Sequence, residues 1–574
     1  MRYKISFSNP STQYIQIECQ QVDIQADELV FCLPAWRPGR YELGNFAKNI
    51  KDLSFLDENG QKLCFDKVTK ESWKVYCKGR RTVTAKYLFY ANILNAGSTW
   101  LDDTQIYVNP VNCLMYLQDR LEDPCDLKLN IPENWQVCTG MVEKEHHVFR
   151  VSSYHKLADS PFIASNNVQR NGLENRGVKF EFCFVGECKI NWHKVKEDLN
   201  KIISYQLDMM GEFPTDRYKF LFQILPYSMY HGVEHLTSTV IALGPSYELM
   251  KPELYNEFLG ISSHELFHVW NVKTIRPAEM MPYDYSRENY SRLGYVTEGV
   301  TTYYGDLICF RCGVFDEAEF YRNMNKFLNQ YFHNYGRQSL SVADSSFDTW
   351  LDGYQPGVPH RKVSIYNEGA ICAWMCDMII RLNSKGEHSL DDVMREMNQK
   401  FGKTGVGYTK SDYKSLLEKY SGVKFDDFFN QYIDGTKDYT DLLIALLAEF
   451  GLEIGVRDSE IVSEKDFGFK TYLKEGKTYV QIIAPGAPAE SAGLMINDEV
   501  RAVNGMRIEG NLNEWLAYFD DEMIELTIST TAFIKKVKIF RTSKKFYKRY
   551  FLIKNTGATS AKKSMYESWS KNPF

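Results

Sequence analysis

The sequence predicts a multidomain α+β chain that is β-rich at its start, mixed and then helical through the middle, and β-rich again near its end. Alternation of apolar and polar residues recurs through positions 1–170, helical spacing dominates from 252 to 450, and alternation returns after 455. At 574 residues the chain also exceeds what one hydrophobic core usually supports, so roughly three to four domains are expected.

Within 1–170, short alternating segments such as 14–19 and 83–90 are broken by Gly, Pro and Asn clusters, which predicts an all-β, sandwich-like domain. Region 171–452 is mixed and then helical. It opens with a strand at 178–184, and 192–210 then places Val195, Leu199, Ile202, Ile203 and Leu207 on one helical face. Strands follow at 218–225 and 239–243, and a helix opens near Pro252. Further on, Ser389-Leu-Asp-Asp392 has the form of a capping box. A module at 453–545 reads as strands with one helix over 513–519, and 546–574 reads as a tail that is polar and loose from Asn555 onward.

A formal charge of −6 is small for this length, so neither nucleic acid nor another polyanion is implied as a partner. The basic residues of 535–549 alternate with Val537, Ile539 and Phe540, which reads as a solvated strand edge. The 13 cysteines are scattered and mostly embedded in apolar stretches, so reduced thiols are expected. Cys309 and Cys312 have the spacing of a metal or redox pair, yet no second pair matches them, and buried structural cysteine is the simpler reading. The first residues enter alternation directly, with no apolar leader segment and no run of the ~18 apolar residues needed to span a bilayer. A cytoplasmic location with no membrane span is the expectation.

The chemistry centres on His264-Glu-Leu-Phe-His268. A spacing of four turns a helix by about 400°, so both imidazoles leave one face, one turn apart, where they can share a metal. Glu265 then stands beside them, placed to take a proton from an attacking water. Two satisfied core histidines would give the same pattern, so a third ligand decides. Glu298 is the candidate, because it is a lone acid in an apolar and aromatic stretch where a carboxylate is costly unless paired or metal-bound. The 29 residues between His268 and Glu298 leave room for a loop and a second helix. Three protein ligands with the fourth position left for water make a catalytic Zn2+ site.

The run His264-Glu-Leu-Phe-His-Val-Trp-Asn-Val-Lys-Thr-Ile-Arg-Pro277, the run Thr297-Glu-Gly-Val-Thr-Thr-Tyr-Tyr304 and the run Trp36-Arg-Pro-Gly-Arg-Tyr-Glu42 together resemble the glycyl aminopeptidase family of gluzincin metallopeptidases. The resemblance implies a β-rich N-terminal domain, a thermolysin-like catalytic domain and a C-terminal PDZ domain. It makes Gly232-Val-Glu-His235 the G-x-E-H counterpart of the G-A-M-E-N strand of the larger aminopeptidases, with Glu234 pairing with the α-ammonium of a peptide and Gly232 and His235 beside it. Tyr366 resembles the tyrosine that donates a hydrogen bond to the oxyanion, although Asn-Glu follows it where related aminopeptidases have Glu-Lys. Tyr303, Tyr304 and Asn271 are lower-ranked groove or supporting residues.

The stretches 484–494 and 497–505 resemble a PDZ domain, with Asp466-Phe-Gly-Phe469 at the place of its carboxylate loop. A peptide C-terminus is therefore a candidate partner, and a structural or gating role is the alternative. The function expected is a zinc aminopeptidase acting on peptides with a free N-terminus, with a leaning to Gly and Ala. The alternatives are a zinc endopeptidase and a catalytically silent PDZ scaffold.

Overall fold

In the computed structural model, which describes residues 1–355 and 357–574, the first alternating region forms three sheets rather than one simple sandwich. A seven-stranded sheet centred on Arg2–Ser6 and Tyr14–Gln21 faces a four-stranded sheet holding Glu28–Cys32 and Ser72–Tyr76. Ile15, Ile17, Phe31 and Val75 from their inner faces share one core. The third sheet orders Gln136–Thr139, Phe162–Ser165, Gln105–Val108 and Trp100–Leu101, and two of its strands are buried along their whole length. Burial on both faces has a cause. Its Tyr107, Cys138 and Ile163 form one apolar cluster with Cys183, Leu221, Val233 and Val240 of the next domain.

That next domain is built on a five-stranded sheet in the order Val168–Asn175, Val178–Val185, Arg217–Ile224, Ser238–Gly244 and Met229–Glu234. The three middle strands pair in parallel and the last strand runs antiparallel along the edge. Parallel strands need cover on both faces, which explains the unbroken apolar run from Phe220 to Phe222. Helices Trp192–Met210 and Pro252–Phe267 pack into a common core with one face. The third N-terminal sheet packs against the other. On the edge strand the pleat sends Val233 to the sheet interface, and Gly232 and Glu234 to the opposite side, toward helix Pro252–Phe267.

Pro252 occupies the first turn of its helix, and Ser389 with Asp392 completes a capping box. Helices Gly299–Arg311 and Asn367–Asn383 touch at Gly299 and Gly369, where a Cβ on either glycine would overlap the other's backbone. This contact sets the start of the second helix beside the start of the first. Beyond them, strands Phe469–Lys474, Lys477–Ile483, Glu499–Val503, Met523–Ser529 and Ile534–Phe540 form a sheet closed by helix Leu512–Phe519 over a separate core. Ile534–Phe540 is the last strand in that order, and its basic residues line a solvated edge as its alternation predicts.

The C-terminal residues expected to be loose are ordered. Strand Arg549–Lys554 pairs antiparallel with Leu452–Arg457, and helix Ser560–Ser570, capped by Thr559, buries Tyr566 and Trp569. Trp569 Nε1 donates to the Tyr303 hydroxyl at 2.8 Å, and Arg311 Nε donates to the Trp569 carbonyl at 2.8 Å. The segment looks polar in sequence because this helix shows a charged face to solvent while one tryptophan carries its docking. Trp569→Ala is therefore expected to destabilise the protein by about 3–5 kcal/mol, as for other fully buried tryptophans. An unchanged denaturant midpoint would contradict that assignment. All 13 cysteines are unpaired. Among the described residues no helix is long and apolar enough to cross a membrane.

Candidate active site

His264 lies in the last turn of helix Pro252–Phe267, and His268 caps its C-terminus with helical backbone angles. Both imidazoles therefore keep the one-turn offset that the spacing predicts. Their Nε2 atoms stand 3.0 Å apart, and His268 Nε2 is 3.4 Å from Glu298 Oε2. One ligand atom from each of His264, His268 and Glu298 falls within 4.8 Å of the others. Glu298 sits at a break between helices Gly294–Thr297 and Gly299–Arg311, rather than inside one helix as the apolar pattern suggests.

Two imidazole nitrogens, one from buried His268 and one from half-buried His264, cannot face each other at 3.0 Å with lone pairs opposed unless a proton or a cation lies between them. Nearby, His268 Nδ1 donates to the Asn271 carbonyl at 2.6 Å, which turns its Nε2 lone pair toward the cluster. Asn271 is fixed in turn by bonds from its Nδ2 to Val296 O at 2.9 Å and Thr301 Oγ1 at 3.0 Å. This is the supporting role its position suggested. Without a cation, burial lowers the His264 pKa well below the usual range, with His268 adding to the effect. Burial also opposes charge on His268, but the Glu298 carboxylate overrides it and raises the pKa to about 9. Two His and one carboxylate, oriented toward one point with His268 and Glu298 buried, are a donor set that suits a divalent cation.

Glu265 faces the edge strand. A Cβ at Gly232 would overlap its carboxylate, so glycine is what allows the strand and the acid to meet. Burial, reinforced by Glu234 and Glu298, pushes the Glu265 carboxyl up to about 8. Positive charge placed at the donor cluster would draw it back toward the carboxylate. Glu265 Oε2 is buried with no hydrogen-bond partner, and so is Glu234 Oε1.

Tyr366 precedes helix Asn367–Asn383, whose Gly369 touches Gly299, the residue that follows Glu298. Burial, followed by the Glu298 charge, keeps the Tyr366 phenol protonated, its pKa well above the usual value. Tyr303 and Tyr304 do not join the groove. Their hydroxyls donate to Asp377 and Asp391, each at 2.7 Å, in a buried network with Arg311. The residue that sequence reasoning missed is Tyr41, whose hydroxyl donates to Glu298 Oε1 at 3.4 Å from the N-terminal domain. Gly39 of the same loop presses on Glu234, where an added Cβ would overlap the carboxylate.

Residues 2–166 match the family model for the Peptidase M61 N-terminal domain, and 257–372 match that for the M61 glycyl aminopeptidase, which spans His264, His268 and Glu298. The chain is a metallopeptidase. Its fold is similar to an aminopeptidase N family protein from Idiomarina loihiensis, at 25% identity and a TM-score of 0.91, over 99% of each chain. A variant of the M1 zinc metallopeptidase from Deinococcus radiodurans, bound to a Tyr-Ser-Ala substrate, is a more distant likeness. It shows 11% identity and a TM-score of 0.48, over 76% of this chain and 94% of that one. No curated protein matches the chain. The matched family and the first of these structures together support a zinc aminopeptidase.

In this peptidase the N-terminal domain also fixes the edge strand. Asp159 accepts hydrogen bonds from Lys273 Nζ at 2.7 Å and from the Leu236 amide at 2.9 Å, and lies 3.2 Å from His235 Nδ1. Burial would raise the Asp159 pKa, but Lys273 and then His235 hold its carboxyl well below the usual range. His235 is thereby tied to Asp159, and one acid joins the strand that ends in Glu234 to the turn that follows the histidines. At Gly232 a substitution has a stated consequence: Gly232→Ala must displace the Glu265 carboxylate. If Glu265 is the general base, the variant is expected to lose about 100-fold or more in kcat while still binding metal, because catalytic groups tolerate little misplacement. Paired kinetic and metal analyses of that variant check it, and unchanged kcat contradicts it.

Proposed function

We propose that the enzyme is a zinc aminopeptidase that removes the N-terminal residue of peptides, with His264, His268 and Glu298 as the metal ligands. When bound there, zinc supplies the Lewis acidity that activates water and polarises the scissile carbonyl. Glu265 accepts the proton of the attacking water and passes it to the leaving amine. Tyr366 donates a hydrogen bond to the oxygen on which negative charge develops. Glu234 pairs with the substrate's α-ammonium and so sets the first peptide bond at the reacting position, with Gly232 and His235 holding its strand.

The observation that carries this reading is the unpaired, buried Glu234 oxygen beside the donor cluster. A buried carboxylate without a partner is costly, and a substrate ammonium relieves that cost. An endopeptidase would have no use for an acid at this point. A leaning to small N-terminal residues, Gly and Ala, is part of this reading; the matched family's description supports it for Gly alone. The module at 453–545 is read as PDZ-like with a structural or gating role. In its loop the Asp466 and Gly468 amides already donate to Val462 O at 2.9 Å and Glu464 O at 3.2 Å, so they are not free to hold a terminal carboxylate.

The test is Glu234→Ala. It is expected to raise KM and lower kcat/KM on free-amine alanine arylamides by about 10- to 1,000-fold, the range for losing one partner of a buried charge pair. Unchanged kinetics on those substrates would remove Glu234 from the mechanism.

A further inference from the structure

The loop of residues 36–44 reaches the donor cluster from the N-terminal domain, and residues 284, 285 and 350 fasten it there. The Ala35 amide donates to the Tyr285 carbonyl at 2.8 Å, and the Trp36 indole Nε1 donates to the Asp284 carbonyl at 2.8 Å. The Gly44 amide returns to the Ala35 carbonyl at 2.8 Å and closes the base of the loop. Trp350 packs edge-on against both Trp36 and Tyr41, with ring centroids 5.1 and 5.9 Å apart. Held in this way, Tyr41 is buried and its hydroxyl donates to Glu298 Oε1.

The two oxygens of Glu298 meet different partners. Oε2 faces His268 Nε2 at 3.4 Å, on the side of the donor cluster, whereas Oε1 takes the phenol at 3.4 Å. Among the described residues, Tyr41 is the one side chain other than the His268 ring within hydrogen-bonding distance of this carboxylate, and Glu298 is only 2% exposed. Burial, followed by the charges of Glu298 and Glu234, keeps the Tyr41 phenol protonated, its pKa well above the usual value. The phenol is therefore a hydrogen-bond donor and not a competing ligand. A carboxylate free to use both oxygens could place the second on the cation as well, filling the position that a catalytic zinc keeps for water.

We propose that Tyr41 is a positioning residue of the metal site, its hydroxyl holding Glu298 Oε1 so that Oε2 alone turns to the cation. The inference rests on the reading of His264, His268 and Glu298 as ligands. The N-terminal domain then completes the site, and the helical region by itself lacks one of its supports. Tyr41 takes no part in the proton transfers. Partners of ligating groups contribute about 10- to 100-fold in metal affinity or activity.

The experiment measures zinc affinity by competition with a chromophoric chelator on the full-length wild type and Tyr41→Phe, and records the visible spectra of both after cobalt replaces zinc. Loss of the one hydroxyl is expected to weaken zinc binding by about 10- to 100-fold, because the carboxylate loses the hydrogen bond that orients it. The cobalt absorption bands are expected to shift, because Oε1 becomes free to join the coordination. A packing role alone would lower the unfolding midpoint of the metal-free protein and leave the cobalt bands in place. Unchanged affinity, or cobalt bands that coincide with those of the wild type, overturns the proposal. The spectrum reads only chains that hold the metal, so a partly misfolded variant does not mask the result. A wild type that binds no zinc would defeat the ligand assignment itself, whereas about one zinc per chain in the wild type with no change in Tyr41→Phe defeats only the role of Tyr41.

Discussion

Glu265→Gln is expected to retain the metal and to lower kcat by about 100- to 10,000-fold, the usual contribution of a positioned general base. Glutamine keeps the shape and the hydrogen-bonding reach of the acid but cannot accept the proton. The ligand set is untouched, since the cluster consists of His264, His268 and Glu298. Gly232 leaves just enough room for the carboxylate, so the nearly isosteric amide should fit where a larger side chain would not. Metal analysis and turnover of an alanine arylamide on the same preparation check the result. A variant that loses its metal would show that Glu265 is a ligand, and one that keeps full turnover would show that it is not the base.

Glu298→Ala is expected to weaken metal binding by more than about 100-fold, beyond the loss seen when only a supporting residue is removed. The carboxylate supplies one of the three donors and the only negative charge among them. Its removal leaves two neutral imidazoles 3.0 Å apart and the Tyr41 hydroxyl without its acceptor. Two ligands do not complete a catalytic zinc site. Equilibrium dialysis against zinc, with wild type in parallel, measures the loss. A fully metallated, active variant would send the search for the third ligand elsewhere.

The geometry of the candidate metal cluster was legible because it rests on local rules. A four-residue spacing on a helix fixes the offset of His264 and His268 whatever surrounds them. Glu298 was visible as an acid that its apolar neighbours could not tolerate unpaired. Tyr303 and Tyr304 follow it by five and six residues, which turns them about 140° and 240° away around the helix and into the buried Asp377 and Asp391 network.

Tyr41 and Gly39 could not be placed in the site from pattern alone, since they reach it across a domain boundary from more than 190 positions earlier in the chain. The 36–42 run was noticed as a motif, and its Arg and Tyr residues outside any alternating strand were the available signal. The third N-terminal sheet escaped for a related reason. Its two central strands are buried on both faces by the neighbouring domain, and periodicity reports only burial on one. The C-terminal helix shows the converse, because a charged face concealed one docking tryptophan.

The central claim is that one metal at His264, His268 and Glu298 cleaves the bond next to a free N-terminus. Initial rates on alanine arylamide and on its N-acetylated form, before chelation, after it, and after zinc is restored, test this most directly. The account predicts hydrolysis of the free amine only, abolished by chelation and recovered with about one zinc per chain. Equal rates on the blocked substrate, or rates that survive removal of the metal, would contradict it.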